Sequence, residues 1–217
     1  MDAFRVKFIN KTIQGLLLFL FTMNVGAGLY MPFLAIFVTK NIAGATLATV
    51  GLLLALAAIT KSIIQLPLAK WLDSRAGEKD DYYVILFGTS LVTIYLFGFL
   101  FVHSVGGLAL LQIIVGVGDA MIFSAYYAVF SHHIDKDSEG FEWSMLSVGG
   151  LTISVAIGTF LGGVVAGKFG FETLFISAGL INTTAIIFLL LLYPHMNIMR
   201  KPHHYKTVVH QDRKPRV

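Results

Sequence analysis

Residues 108–130 read LALLQIIVGVGDAMIFSAYYAVF, 23 residues with one ionisable side chain among them, Asp119. Wound as an α-helix at 1.5 Å per residue, the run is about 35 Å long, enough to cross a hydrocarbon core roughly 30 Å thick. Membrane-crossing strands are about half that length and alternate in polarity, which this run does not. Five further apolar runs lie on either side of it, at 12–39, about 43–69, 82 to about 102, 143–167 and about 173–193, interrupted only by Lys61. The loops between them are short, and Pro194 stops the last. The pattern predicts an all-α membrane protein with six transmembrane helices. A short segment 1–12 precedes a six-helix domain at 13–193, and a basic tail follows at 194–217.

The composition agrees. Of 217 residues, 56% are hydrophobic and 13% charged, against about a quarter charged in a typical soluble domain. That share cannot cover a soluble globule, which argues against a soluble enzyme, a nucleic-acid module and a disordered chain. With no Cys there is no disulfide framework or thiolate metal site. The first run is too long for a signal-peptide core and no small-residue cleavage site follows it, so it reads as a retained helix.

Six spans put both termini on one side. That side carries thirteen of the sixteen Lys and Arg, including Arg5, Lys7, Lys11, Lys70, Arg75, Lys79, Lys136 and the cluster from Arg200 to Arg216. The other side has Lys40 and Lys168, and Lys61 lies within a span. Positive residues stay inside, so both termini are expected in the cytoplasm and the protein in the plasma (inner) membrane. The basic tail reads as a topology anchor against anionic lipid rather than a partner site.

Three patterns carry a family resemblance. Between the second and third runs, Asp73, Arg75, Gly77 and Lys79 match in type and order the cytoplasmic signature of the major facilitator superfamily, G-x-x-x-D-R-x-G-R-K, with Ser74 inserted and the first glycine missing. On the fourth run, Gln112, Gly116, Gly118 and Ala120 resemble the family's R-x-x-x-G-x-G-x-A, with Gln112 in place of the arginine. On the fifth, Gly149, Gly158, Gly162, Gly163, Ala166 and Gly167 resemble its antiporter signature without the proline. The resemblance covers residues 12–193 and implies one six-helix half of a twelve-helix fold, nearest the N-terminal half. Two such halves are related by an axis along the membrane normal. A parallel homodimer would rebuild the whole; a separately encoded second half or a truncated chain are the alternatives. The resemblance also implies that the turn of Asp73, Arg75, Gly77 and Lys79 acts as a cytoplasmic gate. Asp73 would then face the start of the partner's fifth helix, near Glu142 and Ser144. A solvated loop is the plainer reading.

Polar residues inside the runs are the candidate site. Asp119 lies near mid-membrane, where a charge costs about 2.5–3.5 kcal/mol even on the lenient insertion scale. Gln112, Gly116, Asp119, Phe123 and Tyr126 share a helix face by their 3, 4, 3, 4 spacing. Asp119 is the best candidate for a proton- or cation-coupling carboxylate; the alternative is a structural acid bonded to a neighbouring helix. Lys61 lies about 13 Å of helix from its cytoplasmic end, far for a snorkelling lysine, and Gln65 is one turn on. Both fit a cavity or an interdomain contact, with a buried structural pair as the alternative. Asn24 either contacts substrate or bonds across to another helix. On the fifth run, Ser154, Gly158, Gly162 and Ala166 form one small-residue row and Thr159, Gly163 and Gly167 a second. Tight helix packing is their direct reading, and in a homodimer they would form the moving seam. Pro32 is a place for a kink in the first helix.

No nucleophile set, phosphate loop or HExxH motif occurs. His132-His133 and His203-His204 lack the spacing of a metal site, so no metal, no cofactor and no enzyme activity are expected. The expected function is secondary active transport of a small-molecule substrate by alternating access, proton-coupled, as a parallel homodimer in the lipid bilayer. The glycine row of the fifth run leans toward export. The runner-up is a non-transporting membrane subunit or assembly factor, or one half of a split transporter. No nucleic-acid partner is expected.

Overall fold

A computed structural model describes residues 9–75 and 77–196. The basic segments at 1–8 and 197–217, with His203-His204 and the tail's expected lipid contact, lie outside the described residues, as does Ala76.

Helix α1 (Lys11–Tyr30) starts at Asn10, whose side-chain oxygen accepts from the Ile13 amide at 2.9 Å. This N-cap satisfies a donor that the helix itself cannot. The same side chain donates to the His133 carbonyl at 2.7 Å, tying the start of the first helix to a point 123 residues later. Pro32 has no amide to continue the α-helical ladder. The chain there tightens into a 3-10 turn at Met31–Phe33 before α2 (Leu34–Asn41) carries on. Helix α3 (Leu47–Asp73) opens with a reciprocal cap between Thr46 and Thr49. Then follow α4 (Lys79–Gly98) and α5 (Val105–His133), the latter capped by Ser104 on the Gly107 amide at 3.2 Å.

Helix α6 (Glu139–Met145) runs through a π-helical segment, Leu146–Ile153, into α7 (Ser154–Leu192). The Thr152 hydroxyl donates to the Ser147 carbonyl five residues back, at 3.0 Å, consistent with the wider register. Gly170, with φ 84° and ψ 176°, breaks α7 in a backbone conformation that L side chains avoid.

The described residues are helices and turns without strands. Among the described residues, five helical stretches are long and apolar enough to cross a membrane: Lys11–Asn41, Leu47–Asp73, Lys79–Gly98, Val105–His133 and Glu139–His195. The runs expected at 143–167 and 173–193 thus fall in one stretch, divided by the break at Gly170. The third run is helical from Lys79 and ends at Gly98, four residues short of Val102.

Helix α5 lies between α3 and α4, α1 packs along α7, and α4 also meets α7. Glycines set three of these crossings. A Cβ on Gly28 would come within 2.6 Å of the Val155 carbonyl oxygen, and one on Gly158 or Gly162 would run into the α1 carbonyls of Val25 and Leu29. On α5, a Cβ on Gly116 would be 2.7 Å from the Ala57 oxygen of α3, and one on Gly118 2.9 Å from the Gly88 oxygen of α4. At 100° per residue the two α5 glycines point about 200° apart, so each serves one neighbouring helix.

Apolar side chains are uncovered on the outer face of each span, Phe87 and Ile94 of α4 and Ile187 and Leu191 of α7 among them, and α3 is the least covered. Helix α3 buries Val50, Leu53 and Leu72 and exposes Leu47, Leu52, Ile59, Ile63 and Leu66. The part of α7 before Gly170 buries Ser154, Gly158 and Gly162 and exposes Phe160, Leu161 and Phe169. Apolar surface of this extent belongs against lipid or a second protein unit.

Candidate functional site

A cavity of about 460 Å³ is lined by α1, α3, α4, α5 and the Asn182 region of α7. Helices α1 and α3 make no extensive contact with each other, so the cavity lies between two walls that are held apart.

The glycine pair of α5 aims Asp119 into it. Gly116 points at α3 and Gly118 at α4, and Asp119, about 100° beyond Gly118, falls in the remaining gap. Among the described residues, its carboxylate has no hydrogen bond and no ion pair within 4 Å. It does lie close enough to Lys61, Tyr30 and Tyr95 for their charges and dipoles to be felt. Lys61 enters from α3, with its ammonium 4.0 Å from the centroid of the Phe123 ring. A cation over an aromatic face is stabilised by about 0.5–2 kcal/mol, depending on how far it is desolvated.

Asn24 lines the same cavity and spends its amide nitrogen on the Leu20 carbonyl at 3.0 Å, one turn back. Gln112 is a buried lining residue, and its amide interacts with the Tyr95 hydroxyl, which also meets Tyr30.

The face predicted on the fourth run therefore divides. Gln112, Asp119 and Phe123 reach the cavity, and Gly116 meets α3. Tyr126 is fully buried against α1, with its hydroxyl donating to the Leu16 carbonyl at 3.0 Å, away from the cavity. Gln65 is half-buried on α3 and is outside the lining.

Three polar lining residues are absent from the sequence-based set: Tyr30, Tyr95 and Asn182. Asn182 is buried and ties α7 to α4, donating to the Thr89 carbonyl at 3.1 Å and the Thr93 hydroxyl at 2.8 Å. A signal existed for it: it is an amide in the middle of an apolar run, the same criterion that singles out Asn24.

The small-residue rows of α7 also separate. Ser154, Gly158 and Gly162 face α1 of the same chain, with the Ser154 hydroxyl bonded to the Gly150 carbonyl at 2.6 Å. Of the second row, Thr159 also reaches α1, its hydroxyl donating to the Gly28 carbonyl at 3.4 Å, whereas Gly163 and Gly167 are exposed, and a Cβ at Gly167 would meet open space.

At the end of α3, Asp73, Arg75 and Lys79 are exposed, and the Arg75 guanidinium lies 4.6 Å from the Trp71 ring centroid. Gly77 takes φ 83°, which suits the sharp turn. Next to it, Glu78 is buried and its Oε1 lies 3.4 Å from His132 Nδ1 and 3.5 Å from His133 Nδ1, joining the turn to the end of α5. The histidine pair thus has a structural setting that its spacing did not reveal.

A profile of the Major Facilitator Superfamily matches residues 16–215. An uncharacterized MFS-type transporter of Methanocaldococcus jannaschii is 25% identical over 179 residues, 82% of this chain and 45% of the relative. The chain spans about half the length of that curated relative. Among solved structures, the POT family transporter PepTSo superposes with a TM-score of 0.68 at 16% identity, over 88% of this chain and 39% of that one. That likeness shows the fold. A cavity lined by helices that expose their outer faces, together with a profile match along nearly the whole chain, places this all-helical, multi-pass membrane protein in the major facilitator superfamily.

Proposed function

We propose that the chain is a proton-coupled secondary transporter of a small solute, working by alternating access as a parallel homodimer. The observation that carries the reading is Asp119, a carboxylate turned into a cavity within a membrane-spanning helix without a hydrogen-bonding partner among the described residues. Ionisable residues at such depth mark ion and substrate pathways. A proton and the positive end of a solute would compete for the same carboxylate. Competition of that kind exchanges one for the other and favours antiport, with the solute moving outward as protons enter.

The break at Gly170 supports six spans. Unbroken, the 57 residues of Glu139–His195 would extend about 85 Å, nearly three bilayer cores. With six spans, the distribution of Lys and Arg favours cytoplasmic termini, and we take the plasma membrane as the site of action. A second copy in the same orientation would cover the outer faces of α3 and α7 and close the cavity opposite Asp119. Asp73, which has no ion pair among the described residues, would then meet Ser144 of the second copy.

The test is flux. Protein reconstituted into liposomes that trap a pH-sensitive dye is given a pH gradient and a panel of solutes. Solute-dependent proton movement that is lost in Asp119→Asn supports the reading. A well-folded protein that moves neither protons nor solute would make it a non-transporting membrane subunit.

A further inference from the structure

We infer that the cavity takes an amphipathic zwitterion, a small molecule carrying ammonium and carboxylate near one another with an apolar remainder, as in an α-amino acid with an aliphatic side chain. This rests on the transport reading for its biological use, and on the cavity geometry for its chemistry.

The cavity holds two opposite charges that do not pair directly. Asp119 has no hydrogen bond or ion pair within 4 Å among the described residues. The Lys61 ammonium rests on the Phe123 ring at 4.0 Å. Phe123 is one helical turn beyond Asp119 on α5, and the two charges, more than 4 Å apart, both face the cavity.

A monocation would neutralise Asp119 but add like charge next to Lys61, and a monoanion would do the reverse at Asp119. A ligand with both charges close together answers both, its ammonium at Asp119 and its carboxylate at Lys61. Charge-assisted hydrogen bonds of this kind are about twice as strong as neutral ones. Leaving either protein charge unmatched in a partly desolvated site is what rejects the wrong ligand.

The rest of the wall selects the remainder of the molecule. Met23, Met31, Leu54, Leu96 and Val115 supply an apolar surface with no further charge. The polar groups there are largely committed: Asn182 to Thr89 and Thr93, the Asn24 nitrogen to Leu20, and Tyr95 to Tyr30 and Gln112. A sugar, with hydroxyls all round, would leave much of its surface unbonded against this wall.

The experiment uses the full chain in lipid nanodiscs and three matched probes: L-leucine, 3-methylbutylamine, which lacks only the carboxylate, and 4-methylpentanoate, which lacks only the ammonium. Calorimetric titration should give leucine at least tenfold tighter than either, about 1.4 kcal/mol. Lys61→Met should bring leucine down to the level of the amine, and Asp119→Asn down to that of the acid. Lys61→Arg should restore most of the preference, which shows that a lost preference is not misfolding.

Equal binding of leucine and the amine by the wild type, or no binding of any of the three, overturns the inference. An unchanged leucine-to-amine ratio in Lys61→Met does so too. The two readings fail separately. If the amine binds as well as leucine and drives proton flux that depends on Asp119, the zwitterion falls and transport stands. If leucine binds with the stated charge dependence but moves no protons, proton-coupled transport falls and the zwitterion site stands.

Discussion

Replacing Gly158 and Gly162 by alanine tests whether their row holds the chain together internally or joins two copies. A Cβ at Gly158 would run into the Val25 carbonyl oxygen and lie 3.0 Å from the Gly28 Cα; one at Gly162 would run into the Leu29 oxygen and lie 2.8 Å from its carbonyl carbon. These are backbone atoms, which cannot rotate away as a side chain would. Overpacking at such a contact costs about 1–3 kcal/mol, and alanine returns at most about 1 kcal/mol of helix propensity. Each variant should therefore lose up to about 2 kcal/mol. The double variant should lose less than the sum, because both residues press on the same stretch of α1.

Gly163→Ala and Gly167→Ala serve as controls. At Gly163 the nearest atom to a new Cβ is the Phe33 ring carbon at 3.5 Å, an ordinary contact, and at Gly167 there is nothing within 4 Å. With no clash to offset it, both should match wild type or gain up to about 1 kcal/mol of helix propensity. Thermal unfolding in detergent by tryptophan fluorescence, read beside size exclusion, gives both stability and assembly. The argument fails if Gly158→Ala and Gly162→Ala unfold with the wild type yet lose the dimer, for the row would then lie between copies.

Asp119→Asn should abolish pH-driven accumulation in liposomes while the dimer yield on size exclusion stays unchanged, since the amide keeps size and hydrogen-bonding capacity; unchanged coupling would make the carboxylate structural. Cysteines at Asp73 and Ser144 should cross-link two copies, and a monodisperse monomer that still transports would remove the homodimer. Cysteines at Lys40 and in the Asp135–Glu139 loop should label from opposite sides of the membrane, and equal labelling from outside would overturn the orientation. Glu78→Ala should destabilise the fold by about 1–3 kcal/mol through loss of the contacts to His132 and His133, measured as a lower unfolding midpoint; an unchanged midpoint would show that the turn is held by other contacts.

Sequence alone determined whatever depends on the bilayer as solvent. Apolar runs of about 20 residues have to become helices, because lipid offers backbone groups no hydrogen bonds. The rarity of charge in such runs made Asp119 and Lys61 visible, and both line the cavity. Helical phase also put Gln112, Asp119, Phe123 and Tyr126 on one face, but phase says which way a side chain points and not what stands opposite. Tertiary structure decided that. The face is wide enough to meet both α1 and open cavity, so Tyr126 is spent on the Leu16 carbonyl while Asp119 stays open. Tyr30, Tyr95 and Asn182 come from three different helices and are neighbours of the site only once those helices pack. The glycine rows were legible as places of close approach. That one row closes on α1 while Gly163 and Gly167 of the other look outward follows from where the neighbouring backbone runs, which no spacing within a single helix encodes.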